Sequence, residues 1–116
     1  MSSTGFPPDV RQMILDRSAG RCEMCGGNLH VLAGSVHHRR PRRMGGDRRP
    51  ETSLASNGLA ICGSGTTDCH GRIEGSGRAQ ALEDGLILRE GQRPGEVPVK
   101  LHVGWVILTD DGRYLF

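Results

Sequence analysis

Apolar positions along this chain are sparse and fall in short clusters, so their spacing predicts small elements only. Val10, Met13, Ile14 and Arg17 keep helical spacing, Pro7 and Pro8 sit where a first turn tolerates proline, Asp9 suits a helix start, and Gly20 stands just past the end. These signals predict an amphipathic helix over about Pro8 to Ala19. Leu29 to Val36 alternates weakly and predicts one or two short strands, the second ending at His37 and His38. Arg39 to Ser56 offers almost nothing to bury and reads as a long exposed loop. Asn57 to Ile61 returns to short apolar structure, and Thr67 or Asp68 caps a helix starting near Cys69. Gly75 and Gly77 interrupt that helix, and a second runs over Arg78 to Asp84 and closes at Gly85. Beyond it, strands are predicted at Leu86 to Arg89, Val97 to Leu101 and His102 to Thr109, with Asp111 and Gly112 turning the chain into Tyr114 to Phe116. Pro98 confines its strand to a sheet edge, and Trp105 reads as a core residue of the hairpin.

Composition sharpens this picture. With 116 residues and 35% apolar content, the chain can bury one modest core, which favours one domain over residues 1–116. Its 18 glycines and 6 prolines, set against only 4 residues of Phe, Trp and Tyr, describe a loop-rich chain that needs a further staple. The longest apolar runs, Leu59 to Cys62 and Trp105 to Leu108, are far short of a membrane span. The first ten residues carry no secretory pattern, so the cysteines are expected to be reduced and the protein cytoplasmic.

The net charge of +2 hides an asymmetry. Arg39, Arg40, Arg42, Arg43, Arg48 and Arg49 fall in one short stretch with a single acid, Asp47, which leaves the rest of the chain net acidic. Such a focused field suits a polyanion, although a solvated arginine loop has the same composition.

Cys22-x-x-Cys25 and a more widely spaced pair, Cys62 and Cys69, match two loops closing a tetrahedral zinc site. The second spacing is longer than is usual for zinc. Disulfides are the alternative, disfavoured by the absence of an export signal. Zinc binding is worth on the order of 10 kcal/mol in small modules, so loss of any thiolate is expected to unfold the domain.

Four cysteines saturate a structural zinc, which leaves His37, His38 and His70 available for a second metal. On the residues alone, His70 could instead replace a cysteine on the zinc, His37 and His38 could be surface histidines, and Asn57 an ordinary turn residue. His37 and His38 are neighbours on an extended segment and point to opposite sides, so one can ligate while the other faces a substrate. His30 and His102 lie outside the pattern.

The combination of Cys22-x-x-Cys25, His37-His38, Asn57, Cys62 and Cys69-His70 resembles an HNH endonuclease over about Arg21 to Glu74. It is similar to the small HNH nucleases of tailed bacteriophages in the stretches His37 to Gly46 and Cys62 to His70, and the Gly104 to Gly112 hairpin resembles their C-terminal tail. The resemblance implies an α+β fold: a small zinc-stapled ββα-metal (HNH, or His-Me finger) domain with a core of about 21–74, an N-terminal helix of about 8–19 and a C-terminal β extension of about 86–116. It implies metal-dependent hydrolysis of DNA phosphodiester bonds, by nicking or double-strand cleavage with low sequence specificity. His37 and His70 would ligate a catalytic divalent ion (Mg²⁺, Mn²⁺, Ni²⁺ or Zn²⁺), His38 would be the general base, and Asn57 would brace the loop. The six arginines would contact the DNA backbone. Glu74, four residues after His70, stands where some members place another histidine; it could be a ligand, an acceptor for a metal-bound water, or a solvated helix residue. The resemblance also points to phage DNA processing or packaging, with the terminase large subunit as a partner. The competing reading is a non-catalytic, zinc-stapled nucleic-acid-binding module.

Overall fold

Pro7 caps the first helix and Pro8 opens it, so neither proline removes a needed hydrogen bond. A computed structural model of the chain describes residues 6–40, 50–64 and 67–116. Helix α1 (Pro8–Ser18) ends where Ala19 enters the left-handed region (φ 55) ahead of Gly20 (φ 77). Ile14 faces inward from it and packs with Phe6, Ala55 and Ala60.

Strands β1 (Gly34–His38) and β2 (Gly58–Cys62) pair antiparallel, with His37 opposite Leu59, Val36 opposite Ala60 and Ser35 opposite Ile61. Every residue of β2 is buried, which explains its continuous apolar run. Alternate side chains serve two cores: Ala60 faces α1, while Leu59 and Ile61 join Cys22, Ile73, Ala81, Val99 and Leu108 in the larger cluster. Helices α2 (Asp68–Glu74) and α3 (Arg78–Glu83) follow, α2 with Thr67 at its N-cap, and a second sheet has the order β3 (Val99–Leu101), β4 (Gly104–Leu108), β5 (Tyr114–Leu115). The architecture is a small α+β fold with three helices and two antiparallel sheets among the described residues. No helix in them is long and apolar enough to cross a membrane.

Three expectations are corrected. Leu86 to Arg89 is not a strand, because its backbone is committed elsewhere: the Leu86 carbonyl accepts from His37 and the Leu88 N–H donates to the Arg39 carbonyl. Trp105 is more than half exposed rather than core, because the β4 alternation turns Val106 and Leu108 inward and sets Trp105 outward, opposite Lys100. The stretch from Arg39 to Ser56 is not exposed throughout. Arg39, Arg40, Thr52, Ala55 and Ser56 are buried, and 3₁₀ turns form at Pro50–Ser53 and Ala55–Asn57. The expected C-terminal hairpin is the last two strands of a three-stranded sheet.

Candidate metal centres

The first centre is built from two chain reversals brought together by β2. At the first, the Gly26 N–H donates to the Cys22 carbonyl (2.7 Å), the Cys22 N–H to the Gly27 carbonyl (2.7 Å), and the Cys25 N–H to Cys22 Sγ (3.4 Å). At the second, Cys62 ends β2 and Cys69 lies in the first turn of α2. The four sulfurs lie within 4.8 Å of one another, with Cys25 Sγ and Cys62 Sγ 3.9 Å apart. Tetrahedral zinc with Zn–S bonds of about 2.3 Å requires sulfurs about 3.8 Å apart, so the donor set fits a structural ion. All four cysteines are free thiols, and Cys22, Cys62 and Cys69 are buried. Burial pushes the Cys22 and Cys69 thiols above the ordinary range. Burial also opposes ionisation of Cys25, but hydrogen bonds from Gly27 and the neighbouring thiols outweigh it and lower its pKa.

The second centre lies beside the first because Cys69 and His70 are neighbours on α2. His37, His70 and Glu74 bring donor atoms within 4.8 Å of one another. His37 projects from the buried face of β1, and its Nε2 lies 2.8 Å from the Leu86 carbonyl, which can only accept. The proton is therefore on Nε2, and Nδ1 carries the electron pair. Burial, with a smaller contribution from His70, pushes the His37 pKa down to about 4 against the opposing Leu86 hydrogen bond, so the ring is neutral at physiological pH and its Nδ1 could serve as a metal donor. The His37 and His70 rings meet edge to face at 5.2 Å. Glu74, one turn beyond His70, places Oε2 3.6 Å from His70 Nε2 and 3.9 Å from His37 Nδ1.

The other expected site residues are placed differently. His38 points to the opposite face of β1 from His37 and stacks on Phe6, with ring centres 4.0 Å apart. Asn57 is fully buried, and its amide joins both ends of the connection that follows β1. Its Oδ1 accepts from the Arg40 N–H (2.7 Å), and its Nδ2 donates to the Arg40 and Thr52 carbonyls (3.2 and 2.9 Å).

Arg39 and Arg40, expected to contact DNA, have their side chains committed to the protein interior. The Arg39 guanidinium donates to the carbonyls of Gly85, Ser56, Pro94 and Val97, each at 2.9 Å. Burial, and then the charge of Arg17, lower its pKa to about 9. Arg40 donates to Thr52 Oγ1 and the Gln92 carbonyl. Arg42, Arg43, Arg48 and Arg49 lie outside the described residues.

Three participants carry no sequence signal. Ser35 contacts His70 and the Leu86 carbonyl contacts His37, both through pairings distant in sequence. Glu23, between Cys22 and Met24, is fully buried and binds Arg17 through both carboxylate oxygens at 2.8 Å. Comparison with family models, with curated proteins and with solved structures finds no match for the chain.

Proposed function

We propose that the chain is a metal-dependent DNA endonuclease of the HNH, ββα-metal type, with β1, β2 and α2 as its catalytic core. The observation that carries this reading is the convergence of His37, His70 and Glu74 on one point beside the cysteine cluster, with Asn57 tying the following connection. Pure binding does not call for a second cluster of metal-ligating side chains next to a structural site.

A divalent ion held by these three side chains supplies charge stabilisation for the phosphoryl and departing oxygens of a phosphodiester. The chain's own groups do the rest. His38, the base that the resemblance implies, lies on the opposite face of β1 from this centre and stacks on Phe6, so its part in taking the proton of the attacking water is the step that the His38 variant tests. Asn57 fixes Arg40, two residues on, and its carbonyl accepts from the Arg39 N–H at 2.8 Å, so the backbone after His38 is held from both sides. Backbone phosphates are contacted by Arg42, Arg43, Arg48 and Arg49, a sequence-independent grip with strong salt dependence. The resemblance to phage HNH nucleases extends the proposal to DNA processing beside a packaging terminase, with its large subunit as partner.

Nicking of supercoiled plasmid with added Mg²⁺, Mn²⁺ or Ni²⁺ tests the reading. Cleavage by the parent and its loss in His38→Ala and His70→Ala are expected. Equal cleavage by His38→Ala in every metal removes the assigned base, and a parent that binds plasmid without cutting it supports the binding-module reading instead.

A further inference from the structure

Ser35 and His37 lie two residues apart on β1 and share a face of the strand. The Ser35 Oγ stands 2.7 Å from two atoms at once, the Gly63 carbonyl oxygen and His70 Nδ1. A hydroxyl has one proton to give and a carbonyl oxygen has none. The Ser35 proton therefore goes to Gly63, and Ser35 Oγ accepts from His70. Turning the hydroxyl toward His70 would leave two acceptor oxygens facing each other at 2.7 Å.

We propose that Ser35 is a positioning residue for the second metal centre: by accepting the Nδ1 proton of His70 it holds the imidazole in the tautomer whose Nε2 electron pair faces Glu74. This rests on the metal reading of that site. The Leu86 carbonyl does the same for His37 from the opposite ring nitrogen. In that neutral tautomer His37 Nδ1 and His70 Nε2 both turn electron pairs toward the Glu74 carboxylate, at 3.9 and 3.6 Å. A divalent cation would satisfy all three at once. Two imidazoles with one carboxylate favour transition-type ions such as Mn²⁺ or Zn²⁺ over Mg²⁺.

Ser35 also joins the two centres. Gly63 directly follows Cys62, and its φ of +89 suits glycine alone, because a Cβ there would strike the Thr67 carbonyl. The cysteine loop thereby presents the carbonyl that orients the Ser35 hydroxyl.

The test uses the full chain loaded with zinc and titrated with Mn²⁺, which thiolates bind poorly. Histidine ¹⁵N resonances before titration report the tautomer of His70, and calorimetry reports Mn²⁺ affinity. The parent is expected to show His70 protonated on Nδ1. Ser35→Ala is expected to mix the tautomers and weaken Mn²⁺ by about 10- to 100-fold, the usual cost of losing the group behind a ligating histidine. Ser35→Thr, which keeps the hydroxyl on a strand, restores both. A parent protonated on Nε2 overturns the proposal without any variant, as does Ser35→Ala with unchanged tautomer and affinity. A parent with the expected tautomer that binds no Mn²⁺ overturns the metal reading, and one that binds Mn²⁺ but cuts no plasmid overturns the nuclease reading alone.

Discussion

The Tyr114 hydroxyl donates to Glu23 Oε2 at 2.6 Å, linking the last strand to the first cysteine loop. The same carboxylate holds Arg17 through two bonds and accepts from the Ala60 N–H, so one buried acid joins α1, the cysteine loop, β2 and β5. Burial and the Glu23 charge raise the Tyr114 pKa well above its ordinary value, which keeps the hydroxyl a donor.

Tyr114→Phe should therefore destabilise the zinc-loaded protein by about 1.5–3 kcal/mol, the range for a hydrogen bond to a charged group. Glu23→Ala should cost more, about 3–5 kcal/mol, because it strands the buried Arg17. Urea unfolding measures both, and an equal cost for the two would show that the Arg17 pairing contributes little.

Removing the structural ion should unfold the chain. A chelator is expected to abolish the far-ultraviolet circular dichroism signal of the helices, and Cys22→Ser or Cys69→Ser should do the same. In the metal-free, unfolded chain the thiols are mostly protonated at neutral pH, because a free cysteine has a pKa of about 8.5. Zinc must displace those protons, so binding releases them and affinity falls as pH falls. Calorimetry in two buffers of different ionisation enthalpy counts the protons, and a count of zero would contradict this account.

Arg39 should behave as an interior anchor. Arg39→Ala leaves four carbonyls, three of them in buried bonds, without their donor and should cost at least about 3 kcal/mol. Arg39→Lys should rescue little, since a single ammonium does not reproduce the planar fork. Fluorescence-monitored unfolding checks the order of stabilities. A stable Arg39→Ala protein with weakened plasmid binding would return this residue to the DNA surface.

Asn57→Asp tests the clamp more finely than removal. It is nearly isosteric but replaces a donor with an acceptor opposite the Arg40 and Thr52 carbonyls. Destabilisation of about 1–3 kcal/mol is expected, together with loss of plasmid nicking. Undiminished nicking by Asn57→Asp would remove Asn57 from the proposed machinery.

Residue order alone carried α1, β1, both short helices and the final turn, and marked the stretch that becomes β2 only as a short apolar run, because each rests on local rules: proline at a helix start, glycine past a helix end, apolar residues bounded by turn residues. It also carried the two cysteine pairs, since metal spacing is local chemistry. Arg39 and Arg40 were not readable that way. Their neighbours are arginine, proline and glycine, a composition of exposed loops, yet their partners come from residues 52 to 97. Glu74 carried only its helical offset from His70, and Ser35 carried nothing.

The pairing of β1 with β2 decided the remainder. Its register sets Ser35 and His37 on one face and His38 on the other, and α2 packs close enough for His70 and Glu74 to meet His37. Hydrogen-bond partners distant in sequence then select a tautomer, bury a charge or hold a loop. Spacing cannot encode such choices, because they depend on which carbonyl or hydroxyl lies within about 3 Å once the chain has folded.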